Sequence, residues 1–191
     1  MPPLLRKLRL VLGVVIGLLA VLYLGGGVIL FFLQDRFVFL PAQFAPGKLE
    51  HRAEKNGFVR WEDAEGNFLG WQSEAGDPQK VLLGLHGQGG CALDLAFLRT
   101  VSAGSAYDAK VFLLEYPGYG GRGGVSSEAS LTEAAISVVD GLQAPGRSIW
   151  LVGQSLGSGV ACAVVRQRPA AGNAVILLTP FRSFVETAAS H

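Results

Sequence analysis

Hydrophobic and polar positions fall into three regimes along these 191 residues. Residues 10–33 carry no charged side chain, and roughly 20 apolar residues of helix suffice to cross the hydrocarbon of a bilayer. Residues 34–55 are mixed: Phe37-Val-Phe-Leu40 reads as a short extended piece, and Pro41, Pro46 and Gly47 mark a connector. From Phe58 onward, short apolar runs alternate with helical periodicity. Phe58 to Trp61 and Phe68 to Gln72 flank Glu65-Gly66-Asn67 and read as a hairpin. Val81–Leu85, Val111–Tyr116, Ile149–Val152 and Ala174–Leu178 are unbroken apolar runs of strand length, as expected of parallel strands buried on both faces.

Helical segments separate these runs. Ala92 to about Val101 is the first. Leu131, Ala134, Ala135, Val138, Val139 and Leu142 recur on one face of a second, with Ser130 and Glu133 placed as a capping box and Pro145-Gly146 beyond its end. Leu156 onward, rich in Ala and Val up to Pro169, is a third. Strand and helix in strict alternation imply right-handed crossovers and a mostly parallel α/β sheet with flanking helices. The organisation expected is a basic N-terminus (residues 1–9), an apolar anchor (10–33), a connector (34–55) and one α/β domain (56–191).

Charge gives the apolar segment an orientation. Arg6, Lys7 and Arg9 precede it, while Asp35 and Arg36 after it nearly cancel. The positive-inside rule then keeps the N-terminus cytoplasmic and sends the domain across a bilayer. A cleaved signal peptide has an apolar region of about 7–15 residues; this one is longer, and Val28 to Leu33 continue it past Gly25-Gly26-Gly27. An uncleaved single-pass anchor is the expectation. Half the residues are hydrophobic, which excludes disorder, and a net charge of +1 without a basic stripe beyond the N-terminus gives no footprint for nucleic acid. Cys91 and Cys162 have no metal-ligand spacing and read as two buried free thiols. No metal or cofactor is called for.

Between the strand Ile149–Val152 and the helix from Leu156 lies Gly153-Gln154-Ser155-Leu156-Gly157, a match to G-x-S-x-G in the strand–turn–helix setting that gives that motif meaning. Gly153 and Gly157 leave room where strand and helix backbones nearly touch. Ser155 is thereby the candidate nucleophile, at a helix N-terminus whose free N–H groups favour negative charge. Directly after the strand Val81–Leu85 comes His86-Gly87-Gln88-Gly89-Gly90. Backbone N–H groups of Gln88 and Leu156 are the expected oxyanion donors. His86 leads into the loop and is expected to hold its shape, with Gly87 beside it, rather than to act as base. A third glycine-rich stretch, Glu115 to Glu128, lacks the lysine of a phosphate-binding loop and fits G-x-G-x-x-G only loosely, so it reads as a turn passing the site. His51 reads as a solvated loop histidine.

On His86-Gly87 with its glycines, Tyr116-Pro-Gly-Tyr-Gly120 followed by Ser126-Ser-Glu128, and Gly153-Gln-Ser-Leu-Gly157, the chain from about Phe37 to His191 resembles the α/β-hydrolase superfamily. Within it, the chain looks like the membrane-anchored branch near the serine aminopeptidase-like hydrolases. The resemblance implies Ser155 as nucleophile, oxyanion donors at Gln88 and Leu156, and hydrolysis of an ester, thioester or amide, with a small acyl or peptide substrate. It also implies a triad acid and histidine on loops after later strands. Past Ser155 stand only Glu186 and His191, too soon after Ala174–Leu178 for those loops. The triad acid and base are therefore expected outside this chain, which reads as a domain short of its C-terminal part and inactive by itself. The alternative reading is a membrane-tethered binding or scaffold protein on the same frame.

Overall fold

The computed structural model describes residues 3–42, 44–104, 107–170 and 172–180, in two compact units, residues 1–38 and 39–191. The first unit is one helix, α1 (Pro3–Val38). Its stretch Val11–Leu33, with a mean hydropathy of 2.6 and nothing buried, is long and apolar enough to cross a membrane. At about 1.5 Å of rise per residue it exceeds the ~30 Å hydrocarbon thickness. The extended piece expected at Phe37–Leu40 is corrected in part: the backbone stays helical through Val38, because no breaker precedes Pro41.

The second unit opens with a helix the connector reading missed, α2 (Lys48–Lys55), which places the exposed His51 on a helix rather than a loop. Only Leu49 and Ala53 are buried on it, one turn apart. Next come β1 (Phe58–Glu62) and β2 (Phe68–Ser73), the antiparallel hairpin expected, with a bulge at Trp61/Glu62. Asp63 holds the turn by accepting the backbone N–H groups of Glu65 and Asn67 and the Asn67 amide. The same Asn67 bonds hold its carboxyl below the usual range.

β3 (Asp77–Leu85) starts earlier than its apolar run, since Asp77-Pro-Gln-Lys80 belongs to the strand while only Val81 onward is buried. The single helix expected at 92–101 is two pieces, a 3-10 turn (Ala92–Leu95) and α3 (Phe97–Ser102), joined at Ala96. β4 (Ala109–Leu114) ends before Tyr116, whose side chain belongs to the turn that follows. α4 (Glu128–Leu142) begins one turn before the proposed Ser130–Glu133 box: Ser127 is the cap, its hydroxyl accepting the Ser130 N–H while Ser130 Oγ accepts the Ser127 N–H. β5 (Ser148–Gln154), α5 (Leu156–Gln167) and β6 (Ala174–Leu178) complete the described unit.

The sheet order is β1-β2-β4-β3-β5-β6, antiparallel from β1 to β4 and parallel from β4 to β6. β3 sits in the middle, where Leu83 and Leu85 are fully buried. β6 is not the buried strand its composition suggested. Val175, Ile176 and Leu177 are each 38% exposed, because among the described residues β6 pairs on one side alone. The thiols also divide: Cys91 is buried, whereas Cys162 lies exposed on α5, off its packed face.

Candidate active site

β5 and α5 meet at Ser155 in a turn that only small neighbours permit. A Cβ on Gly157 would come within 2.0 Å of the Leu85 carbonyl oxygen, and one on Gly153 within 2.4 Å of the Gly157 carbonyl oxygen. Strand and helix backbones therefore touch. Ser155 is held in a strained positive-φ backbone, φ 49 and ψ −114, a conformation non-glycine residues seldom hold except at functional sites. Its N–H donates to the Leu178 carbonyl at 2.9 Å, and its hydroxyl makes no capping bond to α5. The side chain is half-buried, at the carboxyl end of β5. Leu156 is the first residue of α5, where backbone N–H groups have no partner within the helix.

The loop after β3 runs in front of this turn. A Cβ on Gly87 would lie 3.6 Å from Ser155 Cβ and 3.5 Å from the Gln154 carbonyl oxygen. Ser155, Leu156, Gly87 and the exposed Gln88 are thus at one end of the sheet, where ligands of open α/β sheets bind. His86 is fully buried at the loop's root. Its Nδ1 is 2.8 Å from the Gly87 carbonyl oxygen and its Nε2 is 3.1 Å from Glu115 Oε1. The second approach is off the line of the ring N–H, so it is a close polar contact rather than an aligned hydrogen bond. Tyr116 and Tyr119 close over the ring with centroids 4.3 and 5.2 Å away. His86 is walled in, as a shape-holding residue is and a general base is not.

Glu115 was passed over in the sequence, where it reads as the start of a loop. Its side chain is completely buried, and both carboxylate oxygens accept the Ala92 N–H, at 3.2 and 3.1 Å. Arg122 folds back to donate to the Glu115 carbonyl oxygen at 2.6 Å, and burial lowers the pKa of its guanidinium. Gly120, with φ +51, packs where a Cβ would meet Glu115 Oε2 at 2.1 Å. A carboxylate behind the glycines opposes phosphate, so this stretch is a turn built around Glu115. Between it and the connector lies a cavity of about 310 Å³ lined by Phe44, Leu49, Glu50, Gly118 and Arg122 among others, and no residue of the Ser155 turn lines it.

α2 braces the other side of the loop. Arg52 donates to the Leu93 carbonyl at 3.0 Å, to Asp94 Oδ1 at 2.8 Å and to Cys91 Sγ at 3.4 Å. Asp94 in turn accepts the Cys91 N–H at 3.0 Å. Burial, with Glu115 and Asp94 nearby, pushes the Cys91 thiol up to about 12, which makes it an inert packing group. Glu186 and His191 lie outside the described residues.

This strand–serine–helix turn, with a glycine loop set before it on a central parallel strand, has counterparts among known proteins. Over 139 residues, 70% of its length, the chain is 32% identical to the lysophosphatidylserine lipase ABHD12 of Xenopus tropicalis. The chain belongs to the α/β-hydrolase superfamily. The lysophosphatidylserine lipase ABHD12 of Macaca fascicularis is 31% identical over the same length. The chain spans about a third of these curated relatives, 36% and 35%. The crystal structure of lip1 from Acinetobacter baumannii superposes with a TM-score of 0.57 at 23% identity, over 71% of this chain and 46% of that one, a likeness of fold. No family model matches. Nothing in these relatives supports the finer serine aminopeptidase-like branch expected from the motifs.

Proposed function

We propose that this α/β-hydrolase chain carries the nucleophile and oxyanion machinery of a membrane-tethered serine hydrolase that cleaves a lipid ester. Ser155 held at φ 49 against Gly87 is the observation that carries the reading. Ser155 Oγ attacks the acyl carbonyl, and its proton passes to a base. The ester C–O bond then breaks, the alcohol leaves with a proton, and water hydrolyses the acyl-enzyme. The tetrahedral oxyanion is held by the N–H groups of Gln88 and Leu156, where one donor is worth about 2.7–4 kcal/mol. His86 is fully buried, held at Nδ1 by the Gly87 carbonyl and walled in by Tyr116 and Tyr119, so the base and its acid come from outside the described residues.

The named activity of the ABHD12 relatives points to a lysophospholipid as substrate. A tether through Val11–Leu33 suits a substrate presented at a bilayer, and Arg6, Lys7 and Arg9 set the N-terminus on the cytoplasmic side. The test is labelling of the full-length protein by a fluorophosphonate probe. Labelling should be lost in Ser155→Ala with the circular dichroism spectrum unchanged. Persistence of the label in that variant refutes Ser155 as nucleophile.

A further inference from the structure

Glu115 is a carboxyl group with no solvent and no obvious duty. Burying a carboxylate costs several kcal/mol, and an apolar side chain of similar size serves a core at least as well. What it touches gives the reason. One oxygen faces His86 Nε2, at the start of the glycine loop, and both face the N–H of Ala92, at its end. The segment between is Gly87-Gln88-Gly89-Gly90-Cys91, three glycines in five residues, with φ +71 at Gly89. Each of those glycines loses more conformational freedom on ordering than any other residue would. The segment needs fixing from outside.

His86 carries the restraint one bond further. A carbonyl oxygen can only accept, so at 2.8 Å from the Gly87 oxygen Nδ1 is the nitrogen bearing hydrogen. The Gly87 carbonyl and the Gln88 N–H belong to one planar trans peptide and point in opposite directions. Whatever holds the carbonyl toward His86 therefore aims the N–H away from it. His86 cannot turn, because Glu115 faces its far nitrogen and Tyr116 and Tyr119 pack on the ring. Tyr116 Oη also donates to the His86 carbonyl at 3.2 Å, which pins the loop's first residue.

We propose that Glu115 is a positioning residue for acyl transfer: it clasps both ends of the loop His86–Ala92 and, through His86, orients the Gln88 peptide toward Ser155. The proposal rests on the Ser155 reading above. Glutamine in place of Glu115 keeps the shape but, whichever way its amide lies, sets an NH2 donor where a carboxylate oxygen now accepts the Ala92 N–H, so the hold on that N–H is weakened. An orientation effect of this kind acts on the oxyanion in the transition state and leaves ground-state binding alone.

The experiment measures p-nitrophenyl butyrate hydrolysis by the full-length protein and by Ser155→Ala, Glu115→Gln and Ala92→Pro. Ala92 is the first residue of its 3-10 turn and follows an extended Cys91, a place that accepts proline while removing the N–H. Glu115→Gln should lower kcat about 10- to 100-fold with KM within about twofold, somewhat less than loss of a whole donor. Ala92→Pro should lower kcat about tenfold in the same pattern. Unchanged kcat in folded Glu115→Gln, or a rise in KM alone, overturns the clasp. Should Glu115→Gln not fold, Ala92→Pro is decisive by the same criteria, and misfolding of both assigns Glu115 to fold maintenance and also overturns it. Ser155→Ala separates the two ideas: activity surviving there refutes the nucleophile, whereas activity lost there but kept in Glu115→Gln refutes the clasp alone.

Discussion

Ser158 donates its hydroxyl to the Gly153 carbonyl at 2.8 Å, tying the first turn of α5 to the end of β5 across the serine turn. A second, longer approach of 3.3 Å reaches the Leu178 carbonyl. Two serines three residues apart thus have opposite surroundings: Ser155 is half-buried at the turn, and Ser158 is 3% exposed and engaged. Ser158→Ala should lower stability by about 1 kcal/mol, the net worth of one hydrogen bond. Fluorophosphonate labelling should continue, and denaturation with urea gives the first number while gel fluorescence gives the second. Loss of label in a folded Ser158→Ala would contradict the assignment of roles.

Gly157→Ala is expected to be among the most damaging single changes in the chain. Its added methyl would lie 2.0 Å from the Leu85 oxygen and 2.8 Å from the His86 oxygen, both backbone atoms of the central strand's end. Neither can retreat without breaking β3 pairing. The cost should exceed about 3 kcal/mol, above ordinary overpacking. A soluble-yield and melting comparison with Gly141→Ala, where nothing lies within 4 Å, checks it.

The thiols should separate by reactivity. Cys162 is exposed and should react with iodoacetamide at pH 8, while Cys91, its thiol pushed up to about 12 by burial, should react only after unfolding. Raised in the folded state above its ordinary value of 9.0, Cys91 adds stability that is fully present below pH 9 and is lost as pH climbs toward 12. Mass spectrometry of alkylated peptides and an alkaline denaturation series, with Cys91→Ala as comparison, test both statements. Alkylation of native Cys91 at pH 8 would count against its burial.

The orientation proposed for α1 predicts which reporter works. Alkaline phosphatase joined after Arg60 should be active and a cytoplasmic reporter at the same place silent. Replacing Arg6, Lys7 and Arg9 by glutamine should weaken that bias. An inverted reporter pattern for the parent chain would place the domain on the other face.

The serine turn and the sheet were legible because their signals are local. Gly153 and Gly157 bracket Ser155 within five residues, and the apolar runs on either side set strand and helix. α2 was not legible, since Leu49 and Ala53 are too few to make a period and its hold comes from Arg52 reaching Asp94. The cap of α4 was displaced because Ser130 with Glu133 carries the capping-box pattern, whereas the box that forms is Ser127 with Ser130, a serine hydroxyl standing where the rule expects a Glu or Gln. The exposure of β6 depends on what pairs beyond it, which an apolar pentapeptide does not record. Glu115 escaped for a related reason: an acid at a strand's end is ordinary, and its meaning lies in His86 and Ala92, more than 20 residues away.

Sheet order also governs when this site comes into being as the chain folds. β3 pairs with β4 through residues 81–85 and with β5 through residues 80–85 against 148–153, so the neighbour that carries Ser155 joins only after a long excursion is closed. Parallel pairings of this separation spend chain entropy before any contact repays it, which slows folding. The hairpin of β1 and β2 has no such debt and can form early. Until β5 inserts beside β3, the fully apolar centre Leu83 and Leu85 lacks its second flank, and the loop from His86 has nothing to face. Completion of the Ser155 turn is therefore a late event of folding, and a chain stalled midway exposes the stickiest strand of its sheet before that turn has formed.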